Sequence, residues 1–179
     1  MKLNTLEDEA LMERVRDFDD RAAFAEIVKR HQKIILNFYY RSGVQYDCED
    51  LVQKTFLRLY RSRQRYKKSA KLKTFLFLMA RQVWIDELRK RSRMQNLKKE
   101  FQSESQDYAE SAIGISDARL DMEKALAQLN EEMRLVVELG VYQGLPYAEI
   151  SEILSIPVGT VKSRMFNALK KLRVFLEGQ

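Results

Sequence analysis

The sequence contains little of several residue types that would define other classes of protein. It has one cysteine, which excludes an internal disulfide and makes the cytoplasm the expected compartment. Its 6 glycines and 2 prolines are too few for the many turns of a β-sandwich or barrel. The longest apolar run, residues 75–80, is too short to span a bilayer, so membrane insertion is not expected. The acidic N-terminus lacks the basic and apolar segments of a signal peptide.

Residues for catalysis and metal binding are also scarce. His31 and Cys48 are the single histidine and cysteine, too few for the three or four ligands of a zinc site. The glycine-rich loop that binds nucleotide phosphates is missing. Carboxylates on both sides of Cys48 disfavour its thiolate. The sequence therefore predicts no enzyme activity, no catalytic residues, no metal and no cofactor.

Charge is unevenly distributed along the chain. Residues 1–95 carry 22 lysines and arginines against 13 carboxylates, whereas residues 121–179 carry 7 against 8. A basic half predicts a polyanionic partner, either a nucleic acid or an anionic membrane surface, although a solvated basic face gives the same composition.

Hydrophobic periodicity predicts an all-α protein of two small helical domains joined by a flexible linker. Apolar residues recur every three or four positions through residues 1–95, with Asp20 and Asp47 as expected N-caps and a fourth helix from about Leu72 to Arg91. Residues 96–118 are polar and serine-rich, with little to bury, and read as the linker. Periodicity returns over residues 119–179, where Asn130 is a further expected N-cap.

The segment from Tyr147 to Lys171 has the pattern of a helix-turn-helix. Its two helices are separated by about three residues, so they must cross steeply. Ser151, Ser155 and Val161 stand where the motif usually has alanine at the helix contact, glycine at the turn and valine as an apolar plug. The second helix begins with Gly-Thr-Val-Lys-Ser-Arg over residues 159–164, and such a helix contacts base edges and phosphates.

The run Pro-Val-Gly-Thr-Val-Lys-Ser-Arg over residues 157–164 closely resembles the C-terminal DNA-binding domain of extracytoplasmic-function (ECF) sigma factors. Two segments of the first half resemble the same family independently. Residues 49–61 are similar to its core-polymerase-binding helix, and residues 75–91 are similar to its promoter-melting helix. The resemblance covers nearly the whole chain, with its motifs in the family's order.

The resemblance implies a bacterial transcription initiation factor. Domain 1–95 would dock on core RNA polymerase and capture the unwound minus-ten element of the non-template strand. Domain 119–179 would read the duplex minus-thirty-five element. The resemblance also implies regulation by an anti-sigma factor on a separate chain, and a protein that is not an obligate homodimer.

The family's motifs place candidate residues on three surfaces. The core-polymerase-binding set is Asp50, Gln53, Thr55, Phe56 and Arg58. The minus-ten set combines a basic, tyrosine-containing stretch with part of the melting helix: Arg61, Arg63, Arg65, Tyr66, Lys67, Lys68, Lys71, Gln82, Trp84, Asp86 and Arg89. The minus-thirty-five set is Thr160, Lys162, Ser163, Arg164, Phe166 and Asn167. Trp84, Leu51, Val52 and Phe56 also suit core packing, and Gln82 and Asn167 stand where the family commonly has asparagine and arginine.

Two other functions fit parts of the sequence. A stand-alone helix-turn-helix regulator would bind duplex DNA as a symmetric dimer, but it would need a sensing or dimerising domain in place of the basic first half. The second is a basic amphipathic protein that binds anionic membrane surfaces, but this function would not explain the helix-turn-helix. Sigma-factor function is therefore the leading hypothesis.

Overall fold

The structure is a computed structural model that describes residues 2–44, 47–99 and 124–177, and within these ranges it is all-α, as predicted, with no strand. Four helices form the first half: α1 (Asp8–Phe18), α2 (Arg21–Arg41), α3 (Cys48–Arg61) and α4 (Leu72–Lys99). Helix α5 is described over 124–127, and α6 (Glu131–Val137), α7 (Tyr147–Leu154) and α8 (Val158–Glu177) follow. Short 3₁₀ turns span Leu3–Thr5 and Arg63–Arg65, and a π-helical turn, Glu138–Tyr142, continues α6. None of the described helices combines the length and apolar character of a membrane span.

The first half packs α1, α2, α3 and α4 around one apolar core. The buried ring of Phe38 on α2 meets Phe77 and Trp84 of α4 edge to face, with ring centroids 5.3 Å and 6.4 Å apart. The neighbouring Tyr39 hydroxyl donates to the Ala80 carbonyl at 2.9 Å and lies 2.6 Å from the Thr55 hydroxyl. Its buried oxygen therefore joins three helices, which satisfies polar groups that would otherwise destabilise the core.

Two of the three predicted helix caps are confirmed. The Asp20 carboxylate accepts the N–H groups of Ala22 and Ala23 at 3.0 Å, and the Asn130 side chain accepts that of Met133 at 2.9 Å. The prediction for Asp47 is wrong, because its side chain makes no cap hydrogen bond. Its carboxylate lies 3.4 Å from the Arg91 guanidinium of α4, so a contact distant in sequence has taken the place of the local one.

Helix α4 continues eight residues beyond the predicted end near Arg91, to Lys99. Residues 92–99 contain no glycine or proline, so nothing in the local sequence stops the helix. The first four residues of the predicted linker, 96–99, therefore have helical backbone. The rest of the linker, residues 100–118, lies outside the described residues.

The two halves contact each other through α4 and the segment from α6 to α7. The Lys73 ammonium donates to the Gln143 carbonyl at 2.6 Å, and the Thr74 hydroxyl donates to the Glu149 carboxylate. On α2, the Arg41 guanidinium lies 4.1 Å from the centre of the Tyr142 ring. Polar contacts therefore connect the two domains.

Glu138 is the most deeply buried carboxylate among these interdomain contacts. Its carboxylate accepts from the Gln143 side chain at 2.9 Å and lies 3.6 Å from Arg41, while its second oxygen has no described hydrogen-bond partner. Burial raises the pKa of Glu138, and the hydrogen bond from Gln143 and the charge of Arg41 oppose the rise. The charged form is therefore supported by Gln143 of its own domain and by Arg41 of the other domain.

Helices α7 and α8 form the predicted helix-turn-helix. Val161 is fully buried as the plug of the second helix, and the Ser151 hydroxyl donates to the Ile156 carbonyl at 2.5 Å across the turn. Ser155 adopts the left-handed conformation at the turn, with φ 52° and ψ 45°. The serine at the usual glycine position thus keeps the geometry of the motif at a conformational cost.

The Ser155→Gly variant should unfold at higher denaturant concentration than the wild type. A left-handed conformation is unfavourable for a residue with a Cβ, and glycine removes that cost, so we expect a gain of roughly 0.5–1 kcal/mol after its larger unfolded-state entropy is included. Urea unfolding followed by far-UV circular dichroism measures the change. Ser163→Gly, in the helical conformation of α8, is the matched control and should be destabilising. Equal destabilisation of both variants would contradict the prediction.

Candidate nucleic-acid interface

Helix α3 presents an exposed stripe toward solvent. Asp50, Gln53 and Leu57 follow one another at spacings of three and four, so they share a face, and all three are exposed. Asp50 forms an ion pair with Lys54 at 2.6 Å, and Arg58 forms one with Asp86 of α4 at 2.6 Å. This stripe contains the solvent-facing members of the predicted polymerase-binding set.

Thr55 and Phe56 of that same set are buried. The Thr55 hydroxyl donates to the Leu51 carbonyl at 2.7 Å and meets Tyr39, while Phe56 belongs to the apolar core. These two residues therefore support the helix from within and offer little surface to a partner.

Leu57 was missed by the sequence reasoning. It is 48% exposed, at the centre of the polar stripe and beside a groove of about 480 Å³ between α3 and α4. Helical periodicity could have identified Leu57 as exposed. Leu51, Thr55 and Leu59 define the inward face of α3, and Leu57 lies off that face. An apolar centre surrounded by polar residues is an arrangement found at many protein interfaces.

Four cations of the segment 61–71, hereafter the basic loop, are exposed and form no ion pair within the described residues: Arg61, Arg65, Lys67 and Lys71. Two others have partners. Arg63 is half-buried 3.1 Å from Asp19, with its guanidinium 4.4 Å from the centre of the Tyr60 ring, and Lys68 lies 3.2 Å from Glu13. Free cations on one loop provide the positive surface that a phosphate backbone requires.

Tyr66 differs from the other members of the basic loop because only 2% of it is exposed. Its hydroxyl donates to the Ala70 carbonyl at 2.6 Å, and its ring lies against Phe75 at 5.5 Å between centroids. Burial raises the pKa of Tyr66 to about 12. The ring therefore fixes the loop to the core and leaves no face for a base.

The outer face of α4 carries Gln82, Asp86 and Arg89, which share one side of the helix and are exposed. Arg89 lies 4.0 Å from Asp86, whose carboxylate also meets Arg58 of α3. Trp84 points inward and is 6% exposed, beside a cavity of about 190 Å³ that Leu135, Leu154 and other residues of the second domain help to line. In this arrangement of domains Trp84 is a packing residue.

Helix α8 presents its candidate residues on one exposed face. Lys162, Ser163, Phe166 and Asn167 are solvent-accessible, and Phe166 is 70% exposed. Thr160 is partly exposed in the first turn and accepts a hydrogen bond on its carbonyl from Ser163 at 3.0 Å. The buried residues Val161, Met165 and Ala168 hold the opposite face. The helix is therefore packed along one side and exposed along the other, as is usual for the second helix of a helix-turn-helix.

Arg164 is directed away from that free face. Its guanidinium forms an ion pair with Glu132 of α6 at 2.7 Å, and it lines the cavity between the domains together with Arg81. Contact with a base would require Arg164 to leave Glu132. Sequence reasoning could not detect this partner, which is 32 positions away.

The chain's single cysteine and single histidine, Cys48 and His31, are both buried. Burial, more than the charges of Asp47 and Glu49, raises the pKa of the Cys48 thiol to about 11. His31 is buried and lies 2.7 Å from Asp8. Over residues 2–44, 47–99 and 124–177, no three metal-ligating side chains come together.

Comparison with known proteins identifies both domains. Residues 27–94 match the family model for sigma-70 region 2, and residues 119–172 match that for sigma-70 region 4. The two regions follow each other in the order predicted from the motifs.

Curated relatives cover nearly the whole chain. It is 31% identical to the ECF RNA polymerase sigma factor SigW of Bacillus subtilis over 86% of its own length and 89% of the relative's. It is 33% identical to the ECF sigma factor SigE of Mycolicibacterium smegmatis, over 84% of its length and 60% of that relative's length. The chain belongs to the ECF RNA polymerase sigma factor family, whose members are transcription initiation factors.

Solved structures show the same fold. The sigma factor RpoE of Bartonella quintana, solved in complex with the anti-sigma factor NepR, superposes with a TM-score of 0.70 at 26% identity, covering 86% of this chain and 96% of that one. CnrH, solved with the cytosolic domain of CnrY, superposes with a TM-score of 0.69 at 22% identity over 96% of this chain and 98% of that one.

Proposed function

We propose that this alternative sigma factor binds core RNA polymerase and promoter DNA through three surfaces, two of which adjoin where Arg58 of α3 pairs with Asp86 of α4. The observation that carries the proposal is that two packed domains of the family present most of the predicted polar residues on three exposed faces, on α3, on the basic loop with α4, and on α8. Each partner therefore has a face of its own. A factor that bridges polymerase and DNA requires this, because it must bind both at once.

Polymerase docking is assigned to the exposed stripe of α3. Asp50, Gln53 and Arg58 supply polar contacts, and Leu57 supplies an apolar centre. Interfaces commonly combine a small apolar centre with a polar rim. Thr55 and Phe56 contribute by fixing the helix.

Minus-ten recognition is assigned to the basic loop and the outer face of α4. Free cations of the loop would contact phosphates of the unwound strand, and Gln82, Asp86 and Arg89 lie along the adjoining helix. Tyr66 and Trp84 would act from the core by shaping that surface.

Minus-thirty-five recognition is assigned to α8. Lys162, Ser163 and Asn167 can donate to base edges or phosphates in the major groove, and Phe166 can make an apolar contact with a thymine methyl group. Arg164 and Thr160 hold the start of the helix, and Arg164 becomes available to DNA when Glu132 releases it.

Regulation by an anti-sigma factor is part of the proposal. The structure of Bartonella quintana RpoE, 26% identical to this chain, was solved with such a regulator. An inhibitor of this kind would act in the cytoplasm by covering one or more of the three surfaces until a signal releases it.

The function is tested by run-off transcription with purified core polymerase over the DNA upstream of the protein's own gene. We expect a discrete transcript only when core polymerase and this protein are both present. The free protein should bind promoter duplex weakly, because each DNA-reading surface is small and the unwound strand does not yet exist. Tight, sequence-specific binding of duplex DNA by a free dimer would contradict the proposal and favour a stand-alone regulator.

Leu57→Asp should weaken binding to core polymerase by about tenfold or more, because it places a charge at the apolar centre of the α3 stripe. Fluorescence anisotropy of labelled protein titrated with core polymerase measures the change. Ala25→Asp, which adds the same charge at an exposed position of α2, is the matched control and should bind normally. Unchanged binding of Leu57→Asp would remove α3 from the docking surface.

A further inference from the structure

Phe18 is the most exposed large hydrophobic residue among the described positions, with 80% of its surface accessible. It lies at the end of α1 on the same face as Leu11 and Val15, which are fully buried. The apolar stripe of α1 therefore continues past the edge of the core and ends in an aromatic ring that the described part of the chain leaves uncovered.

The residues on both sides of Phe18 are tied to the basic loop and to the end of α3 by several polar contacts. The Asp19 carboxylate accepts from the Tyr60 hydroxyl at 2.6 Å and lies 3.1 Å from the Arg63 guanidinium. The Arg16 carbonyl accepts from the Gln64 side chain at 2.8 Å, and the Arg16 guanidinium donates to the Tyr66 carbonyl at 3.2 Å. The ring is thus attached to a rigid position next to the loop.

The carboxylates that flank Phe18 are each paired with an arginine: Asp17 with Arg16 at 2.7 Å, Asp19 with Arg63 at 3.1 Å and Asp20 with Arg14 at 2.7 Å. The unpaired charges of the adjoining loop are positive, which favours a polyanion as the occupant. Arg65 and Lys67 of the adjoining loop are exposed and form no ion pair within the described part of the chain. A protein partner would require an acidic surface that also accepts an isolated ring, whereas single-stranded DNA presents phosphates and unpaired bases together. Aromatic rings beside cations are the common means of holding such a strand.

We propose that Phe18 is a stacking platform for an unpaired base of the promoter strand that the basic loop holds. The inference rests on the proposed function and adds α1, which no motif of the chain assigned to DNA, to the minus-ten surface. Stacking on the ring would add a sequence-tolerant contact at the edge of the melted region, after strand separation and not before it.

The test uses holoenzyme made from core polymerase and the full-length protein. Two promoter probes are compared, one fully duplex and one with unpaired bases at the minus-ten element. In a series of versions of each probe, 2-aminopurine replaces one base at a time across the minus-ten element. Phe18→Ala should weaken binding of the unpaired probe by about 5- to 150-fold, the range for loss of one base–aromatic stack. At one labelled position of the unpaired probe, the wild type should quench 2-aminopurine fluorescence and Phe18→Ala should not.

Four further results decide the proposal. Phe18→Tyr should restore both binding and quenching, because a ring is kept, whereas Phe18→Leu should restore neither. Val174→Ala, at a 65% exposed position of α8, is the control and should behave like the wild type. Phe18→Ala should leave urea unfolding unchanged, since the ring is not packed.

Unchanged binding of the unpaired probe by Phe18→Ala would overturn the inference, as would an equal loss on both probes or a loss of affinity for core polymerase. These outcomes leave the proposed function intact, because the wild-type holoenzyme still binds and transcribes. If the wild-type holoenzyme bound neither probe, the proposed function would fail and the inference with it.

Discussion

Trp84→Ala is expected to lower the free energy of unfolding by about 3–5 kcal/mol, the usual cost of removing a large buried aromatic side chain. The ring is 6% exposed and packs edge to face against Phe38, so its loss leaves a cavity between α2 and α4. Urea unfolding followed by circular dichroism measures the effect, since Trp84 is the chain's single tryptophan and its removal abolishes that fluorescence signal.

Trp84→Met separates packing from base stacking. Methionine fills irregular core space but has no ring, so this variant should regain much of the stability that alanine loses. If Trp84 acts through packing, Trp84→Met holoenzyme should bind a promoter with an unpaired minus-ten element nearly as well as wild type. Normal stability combined with a large loss of that binding would instead establish contact between the indole ring and DNA.

Neutralising Arg65 and Lys67 together is expected to weaken open-complex formation on every promoter and to reduce its salt dependence. Each phosphate contact to a single strand contributes about 0.7 to the slope of log affinity against log salt. Two contacts therefore account for about a sevenfold change in affinity between 50 and 200 mM salt. Preference among minus-thirty-five sequences should stay unchanged, because that readout belongs to α8.

The measurement is transcription from a randomised promoter library at two salt concentrations. Lys29→Ala combined with Lys33→Ala removes the same charge from exposed positions of α2 and serves as the control. An equal reduction of the salt slope by both double variants would show that net charge matters and that the loop has no special role. A changed minus-thirty-five preference in the Arg65 and Lys67 variant would contradict the separation of the surfaces.

Local patterns predicted what depends on neighbours in sequence. The caps at Asp20 and Asn130 were found because an N-cap side chain bonds N–H groups two or three residues away. The helix-turn-helix was found because its small, turn and plug positions have fixed spacing, and Val161 is buried as expected. The predicted end of α4 is too early because the prediction placed it at the change to a polar composition after Arg91. No residue there stops a helix, and α4 continues to Lys99.

The sequence alone therefore determined the helical class, the presence of two domains, the motif order and the basic character of the first half. Tertiary structure decided which members of each candidate set meet solvent. Tyr66, Thr55 and Trp84 are buried, and two of them pack against residues of another helix: Thr55 against Tyr39 and Trp84 against Phe38. Arg164 is likewise held by a residue of another helix, and Phe18 is exposed because the core ends before it. Periodicity predicts which face of a helix is apolar. How much of that face is buried depends on the packing of segments that are distant in sequence.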